Sequence, residues 1–347
     1  MDPFMEDGEL IKKTTLASYK SVCARLGVIM CVYFICRILN GLVAVMINSR
    51  ADALGSVALY SLHTVIAVVL CYLIPIYMAM ILFNSFDRYD GKFRELYKKP
   101  RRLARAFGNF PAMYGLGFGT AILTLIVLRL ISRVSGGETF IDELFRPTTM
   151  EPSTNIASVI IMVFLIVVVA PICEEFLVRG IIYDALKPYG CGIAIILSSI
   201  LFGLMHGSMF MLFYTTALGF ALAYIRYATD SLFVVTILHS IFNSVSGGLL
   251  LLSSLKEITN EQSKLVNTFQ SLYTLSFMIL IVLGVIAFIK RIPTIKKYKI
   301  HNPWNEVSAG KKTALFFLSA PVIIMLALAV NEHLNNILFL LMFRSFE

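Results

Sequence analysis

Two adjacent carboxylates and an arginine interrupt an otherwise apolar run in PICEEFLVRGIIY, residues 171–183: Glu174, Glu175 and Arg179. The stretch before them, 156–170, carries no charge. Ionisable groups in hydrocarbon cost roughly +2.5 to +3.5 kcal/mol each on insertion scales, so their presence asks for a reason. On a helix, Glu175 and Arg179 are i,i+4 neighbours and can pair across one turn. Glu174 is rotated about 100° away and has no local partner. An unpaired carboxylate in such a place is a candidate for acid–base chemistry. The plainer alternative is that all three charges sit at a cytoplasmic helix end and meet water.

Two more polar pairs lie in apolar stretches downstream. Phe202 and His206 stand in SSILFGLMHGSM, and His239 and Asn243 stand in VTILHSIFNSV. In each, i,i+4 spacing puts both members on one helix face. A lone histidine in such a helix commonly packs or hydrogen-bonds. However, Glu174, His206, His239 and Asn243 are among the few strongly polar side chains inside apolar runs, and residues of this kind generally face a bundle interior or a wet cavity. Cys173 adjoins Glu174, but a thiol in apolar surroundings is poorly reactive.

The ordered blocks EEFLVRG, FGLMH and HSIFN resemble the EExxxR, FxxxH and HxxxN motifs of the CAAX protease and bacteriocin-processing family of intramembrane endopeptidases, also called the Abi family. Its eukaryotic relatives are the Ras-converting CAAX prenyl endopeptidases. The resemblance covers roughly residues 156–248, under a third of the chain. It implies an endopeptidase in which Glu174 activates the attacking water, His206 helps to hold or deprotonate it, and His239 and Asn243 stabilise the oxyanion. Glu175, Arg179 and Phe202 also fall in these blocks and are expected to support the site, Glu175 and Arg179 mainly as a structural pair. The oxyanion role suits the residue types, since an imidazole N–H and an Asn amide on one helix face supply two preorganised donors.

The resemblance implies a membrane-associated peptide or protein substrate, such as a bacteriocin or signalling-peptide precursor cut near its leader or C-terminal end. No cofactor is expected. The competing chemistry is zinc, with Glu174, His206 and His239 as three ligands and water in the fourth position. The HExxH arrangement is absent, and Asn243 suits an oxyanion better than zinc. A second class of function is a non-proteolytic membrane protein: an immunity factor, a scaffold, or a proton-coupled transporter using Glu174 and the histidines as a relay. Retention of all four polar groups argues against a scaffold, and the lack of related halves argues against a transporter.

These residues need helices to position them, and the composition supplies helices of membrane type. The 347 residues are 58% hydrophobic and 15% charged, with mean hydropathy +0.80, which points to an all-α, polytopic transmembrane bundle. Apolar segments run over 24–47, 59–83, 110–130, 156–170, 192–206, 209–224, 232–252, 272–289 and 314–330, giving eight or nine spans. No repeat or linker divides the chain, so residues 1–347 read as a single membrane domain with its catalytic core at 156–248.

The net charge of +9 does not signal nucleic acid, because the basic residues gather in short loops. Residues 87–105 carry eight Lys/Arg against three acids, and 290–312 carry seven against one. Both loops should be cytoplasmic, and the acidic 135–155 loop should lie outside. The N-terminus is then cytoplasmic, and a prokaryotic plasma membrane is expected because the motif core is compact and no organelle signal is visible. The first apolar run has no cleavage pattern after it, so no removable signal peptide is expected. Six cysteines without CxxC spacing read as buried apolar residues.

Gly115, Gly117 and Gly119 would permit close helix packing within the chain, or a homo-oligomer. Counting along the spans leaves one conflict. A fourth span beginning outside near 156 and a fifth beginning inside near 192 would put Glu174 near the inner face and His206 nearer the outer one. Tilt, a long fourth helix reaching past Arg179, or a kink around Pro171 would close that gap.

Overall fold

The computed structural model describes residues 16–48, 56–83, 103–134, 155–259, 264–297, 300 and 302–344. Among these there is no strand. The helices are α1 (Leu16–Asn48), α2 (56–82), α3 (Leu103–Val134), α4 (Ile156–Tyr189), α5 (Cys191–Leu204), α6 (Met209–Thr229), α7 (Leu232–Ile258), α8 (Lys264–Lys297), α9 (Ala309–Phe317) and α10 (Ala320–Arg344). Side-chain caps set several starts: Asn155 Oδ1 accepts the N–H groups of Ala157 and Ser158, and Ser231 Oγ accepts that of Val234.

The protein is an all-helical, multi-pass membrane protein, and the described residues do not confirm a count of eight or nine spans. Among the described residues six helices are long and apolar enough to cross a bilayer, α1 to α4, α7 and α8. A seventh span results if α9 and α10, bent by 67° at their junction, are taken together. The apolar runs over 192–206 and 209–224 are the two that do not qualify. At ~1.5 Å per residue the 14 residues of α5 reach ~21 Å, short of the ~30 Å hydrocarbon core. The 87–105 and 135–155 loops and parts of 290–312, whose charges set the expected orientation, lie largely outside the described residues.

Helix α7 runs through the middle of the bundle. Within its most apolar stretch 44% of residues are buried, against 11% for α8, and α8 turns Leu265, Leu272, Leu275 and Leu283 outward. That outward apolar face is what a helix bordering lipid presents. Helix α5 packs on α6, α6 on α3, α3 on α8, and α1 on α10. Aromatic rings join α3, α7 and α8: Phe118 stacks on Phe242 at 4.2 Å and meets Phe277 edge-on at 4.8 Å.

The depth conflict in the sequence disappears because α4 does not end near Glu174. It continues to Tyr189 and turns back only at Gly190, whose φ of 134° suits glycine. Glu174 and His206 each lie sixteen residues from Gly190, one on each arm of the α4–α5 hairpin. The long fourth helix that the sequence called for is therefore present. The turn is clamped from two sides. Arg226 reaches Asp184 at 3.4 Å and Asp230 at 2.9 Å, and the Lys312 ammonium donates to the Tyr189 carbonyl at 2.6 Å.

Three wide π turns interrupt the helices around the motif residues: Val69–Leu73 in α2, and Leu165–Val169 and Phe176–Ile182 in α4. Two have a readable cause. A proline removes one N–H and crowds the carbonyl four residues before it, and those carbonyls, of residues 71 and 167 for Pro75 and Pro171, fall inside the first two π turns. Widening the turn is how a membrane helix absorbs such a proline. The third carries no proline and holds Arg179.

The glycine stripe of α3 faces inward within the chain. Gly115 lies against the backbone of Gly284 in α8, Gly117 against Phe242, and Gly119 against Val285. A Cβ at Gly115 would overlap the Gly284 backbone, so Gly115→Leu is expected to lower stability by at least the ~1–3 kcal/mol typical of overpacking. The readout is the melting temperature in detergent. Gly41→Ala, which meets open space, should leave it unchanged.

Candidate functional site

Glu175 sits at the centre of the polar cluster. Its side chain is fully buried, as is that of Arg179. One carboxylate oxygen, Oε1, accepts Arg179 Nη1–H at 2.9 Å and His239 Nδ1–H at 2.8 Å. The i,i+4 pair expected from spacing is therefore present, but it is half of the arrangement. The other half joins α4 to α7 across 64 positions of sequence. A carboxylate can only accept, so the hydrogen of this bond is on Nδ1, and Glu175 thereby fixes which way the His239 ring faces.

Arg179 is enclosed further. Its Nη2–H donates to the Gly219 carbonyl at 3.1 Å, and its guanidinium carbon lies 4.3 Å from the centroid of the Phe202 ring. Phe202, completely buried, is thus the platform on which the arginine rests. The same ring meets His206 edge-on at 4.8 Å and His239 at 5.6 Å. Phe202 separates the two histidines and fixes the ring of each by contact.

Glu174 is placed differently from its neighbour. Its side chain is 12% exposed, and its Oε2 lies 3.9 Å from His239 Nε2. That is too long for a direct hydrogen bond. Two atoms at this separation can share one water at ~2.8 Å from each. The other oxygen, Oε1, accepts the Tyr72 hydroxyl at 3.1 Å, and Tyr72 stands in the π turn of α2. Tyr72 is a site residue that the motifs do not contain. No local signal in the sequence marks it, since its partner lies 102 positions away.

His206 lies just beyond the end of α5. Its Nδ1–H donates to the Phe202 carbonyl at 2.8 Å, so the neutral ring carries its lone pair on Nε2. Among the described residues no hydrogen bond or ion pair joins His206 to Glu174. His206 is within electrostatic reach of His239, Arg37 and Arg179. Asn243 shares a face of α7 with His239, as the spacing implies, and its Nδ2–H donates to the Ile166 carbonyl at 3.0 Å. Ile166 belongs to the π turn of α4. An amide has two such hydrogens, so one is committed to pinning α7 against α4 and one remains for other use.

The structure brings Glu174, Glu175, Arg179, His239 and Phe202 into one cluster, with His206 and Asn243 at its two edges. A catalytic zinc would need Glu174, His206 and His239 around one ion. Among the described residues no three His, Cys, Asp or Glu side chains gather in that way.

Residues 156–245 match the family described as type II CAAX prenyl endopeptidase Rce1-like. An uncharacterized protein of Mycoplasma capricolum subsp. capricolum is 24% identical over 184 residues, covering 51% of this chain and 53% of its own length. The chain thus spans about half the length of that relative. No solved structure matches it.

Proposed function

We propose that this multi-pass membrane protein, whose residues 156–245 match the family described as type II CAAX prenyl endopeptidase Rce1-like, is an intramembrane endopeptidase that hydrolyses a peptide bond in a membrane-associated peptide or protein. The observation that carries the reading is the meeting of Glu174, Glu175 and His239 in the interior of that segment's helices, with one carboxylate committed to Arg179 and the other held only by Tyr72 and 3.9 Å from His239 Nε2.

Glu174 is the general base. It takes a proton from a water held beside Oε2, and the resulting hydroxide attacks the substrate carbonyl carbon. His206, with its Nε2 lone pair, accepts a hydrogen bond from the second O–H of that water and orients it. Negative charge collects on the carbonyl oxygen and is met by donors already in place, the free amide hydrogen of Asn243 and, in its protonated form, His239 Nε2–H. Collapse of the tetrahedral intermediate breaks the C–N bond, and Glu174 returns its proton to the departing amine. Glu175 touches no reacting atom. It orients His239 as an aspartate orients the imidazole of a hydrolase triad.

The substrate enters from the bilayer or its inner surface, and the protein works in a prokaryotic plasma membrane with its N-terminus cytoplasmic. The basic loops favour that orientation. Asn243→Ala is expected to lower kcat by about 10² to 10³ through loss of one oxyanion donor. An unchanged kcat would remove Asn243 from this role and leave it as the tie to Ile166.

The test of the proposal is incubation of the purified full chain in detergent with membrane-anchored peptides, reading products by mass spectrometry. A defined pair of fragments is the expected result. No cleavage across a broad set of such peptides would favour a scaffold, immunity or transport role.

A further inference from the structure

The last carbonyls of an α-helix have no partner within the helix, and those of α5 end beside His206. The Met205 carbonyl accepts the Tyr33 hydroxyl at 2.8 Å and Arg37 Nη1–H at 3.3 Å. Both donors come from α1, more than 160 positions away in sequence. Arg37 is itself held: its Nε–H donates to Glu332 Oε1 of α10 at 2.6 Å, and its Nη1–H also reaches the Tyr33 hydroxyl at 3.4 Å. On the far side of the same peptide, Gly207 has φ 64°, and a Cβ there would run into Arg37 and Glu332.

The backbone that carries His206 is therefore gripped on both sides. The Phe202 carbonyl holds the ring, Tyr33 and Arg37 hold the chain at Met205, and Arg37 with Glu332 leaves no space beside Gly207. An arginine and a glutamate within apolar helices need a purpose, and neither lies in the 156–245 segment or in any of the three motifs.

We propose that Tyr33, Arg37 and Glu332 form a positioning network that caps α5 and sets where His206 presents Nε2 to the attacking water. The inference rests on the proposed peptidase reading. None of the three touches a reacting atom. They act through the Met205 carbonyl, so their removal should slow the chemical step and leave substrate binding intact.

The experiment is steady-state kinetics of the full chain in detergent on a peptide that the wild type cleaves, comparing Tyr33→Phe, Arg37→Gln and Arg37→Lys, with melting temperatures recorded for each. Tyr33→Phe removes a single hydroxyl and guards against the case in which Arg37→Gln, by stranding Glu332, fails to fold. The expected result is a kcat lowered about 10- to 10²-fold, as for a catalytic group displaced by a fraction of an ångström, with KM unchanged. Arg37→Lys, which keeps a cation for Glu332, should recover part of the loss relative to Arg37→Gln. A rise in KM at constant kcat would place Arg37 on the substrate and overturn the proposal. So would a wild-type kcat in Tyr33→Phe, or a kcat loss that only tracks a fallen melting temperature. Glu174→Gln, run alongside, separates the two readings: full activity there would overturn the chemistry assigned to Glu174, while the Tyr33 and Arg37 variants are judged against wild type alone.

Discussion

Replacing Glu174 by glutamine is expected to lower cleavage by about 10² to 10⁴, the range that a positioned general base contributes, and to leave the protein folded. The substitution keeps size and shape. The amide oxygen can still accept the Tyr72 hydroxyl that reaches Oε1 at 3.1 Å. No ion pair shorter than 3.9 Å is lost, and the side chain is 12% exposed, so no buried charge is left stranded. What the amide cannot do is accept a proton from water. Kinetics on the purified variant, beside its melting temperature and elution volume, read the two effects separately. An equal fall in activity and in stability would assign Glu174 to packing.

Glu175→Gln should behave in the opposite way, because this carboxylate serves two buried partners. Spacing alone suggested a structural pair with Arg179, and loss of one member of a fully buried ion pair is expected to destabilise by ~3–5 kcal/mol. The structure adds the bond to His239, so the variant should lose activity beyond what its stability explains. A double replacement distinguishes the two contributions. Glu175→Gln combined with Arg179→Met removes the stranded cation, and exchanging a buried pair for uncharged groups is often close to neutral. Stability should largely return and activity should not, since His239 lacks its carboxylate. Recovery of both together would reduce Glu175 to a structural role.

Residue type and spacing made much of the site legible. Glu174, Glu175, Arg179, His239 and Asn243 stand out because charge, imidazole and amide groups are rare in apolar helices, and i,i+4 spacing already assigns each to a face, whereas Phe202 is marked only by its place in the FGLMH block. The partners that complete the site were not legible. Tyr72 reaches Glu174 across 102 positions, and Tyr33 reaches Met205 across 172. No local pattern distinguishes a tyrosine that will meet a carboxylate from one that will face lipid.

The bundle was legible as a class and not as a count. Hydropathy marks 192–206 and 209–224 as apolar runs, yet it responds equally to a helix that crosses the bilayer and to a short one enclosed by its neighbours. Helix α5, with Ile195, Leu197 and Leu201 buried in the core, is of the second kind. The conflict over the level of Glu174 has a related source. The charges at 174–179 look like the end of a span, whereas Arg179, with no exposure at all, shows that α4 continues through them to Gly190.

The central claim is that a water activated by Glu174 cuts the peptide bond. The most direct measurement is a cleavage time course on one membrane-anchored peptide in detergent, wild type beside Glu174→Gln, each with and without a strong chelator. The account predicts fragments from the wild type in both conditions and none above background from the variant. Activity lost on chelation and restored by added zinc would contradict it and move Glu174, His206 and His239 to a metal, and wild-type cleavage by Glu174→Gln would remove the base altogether.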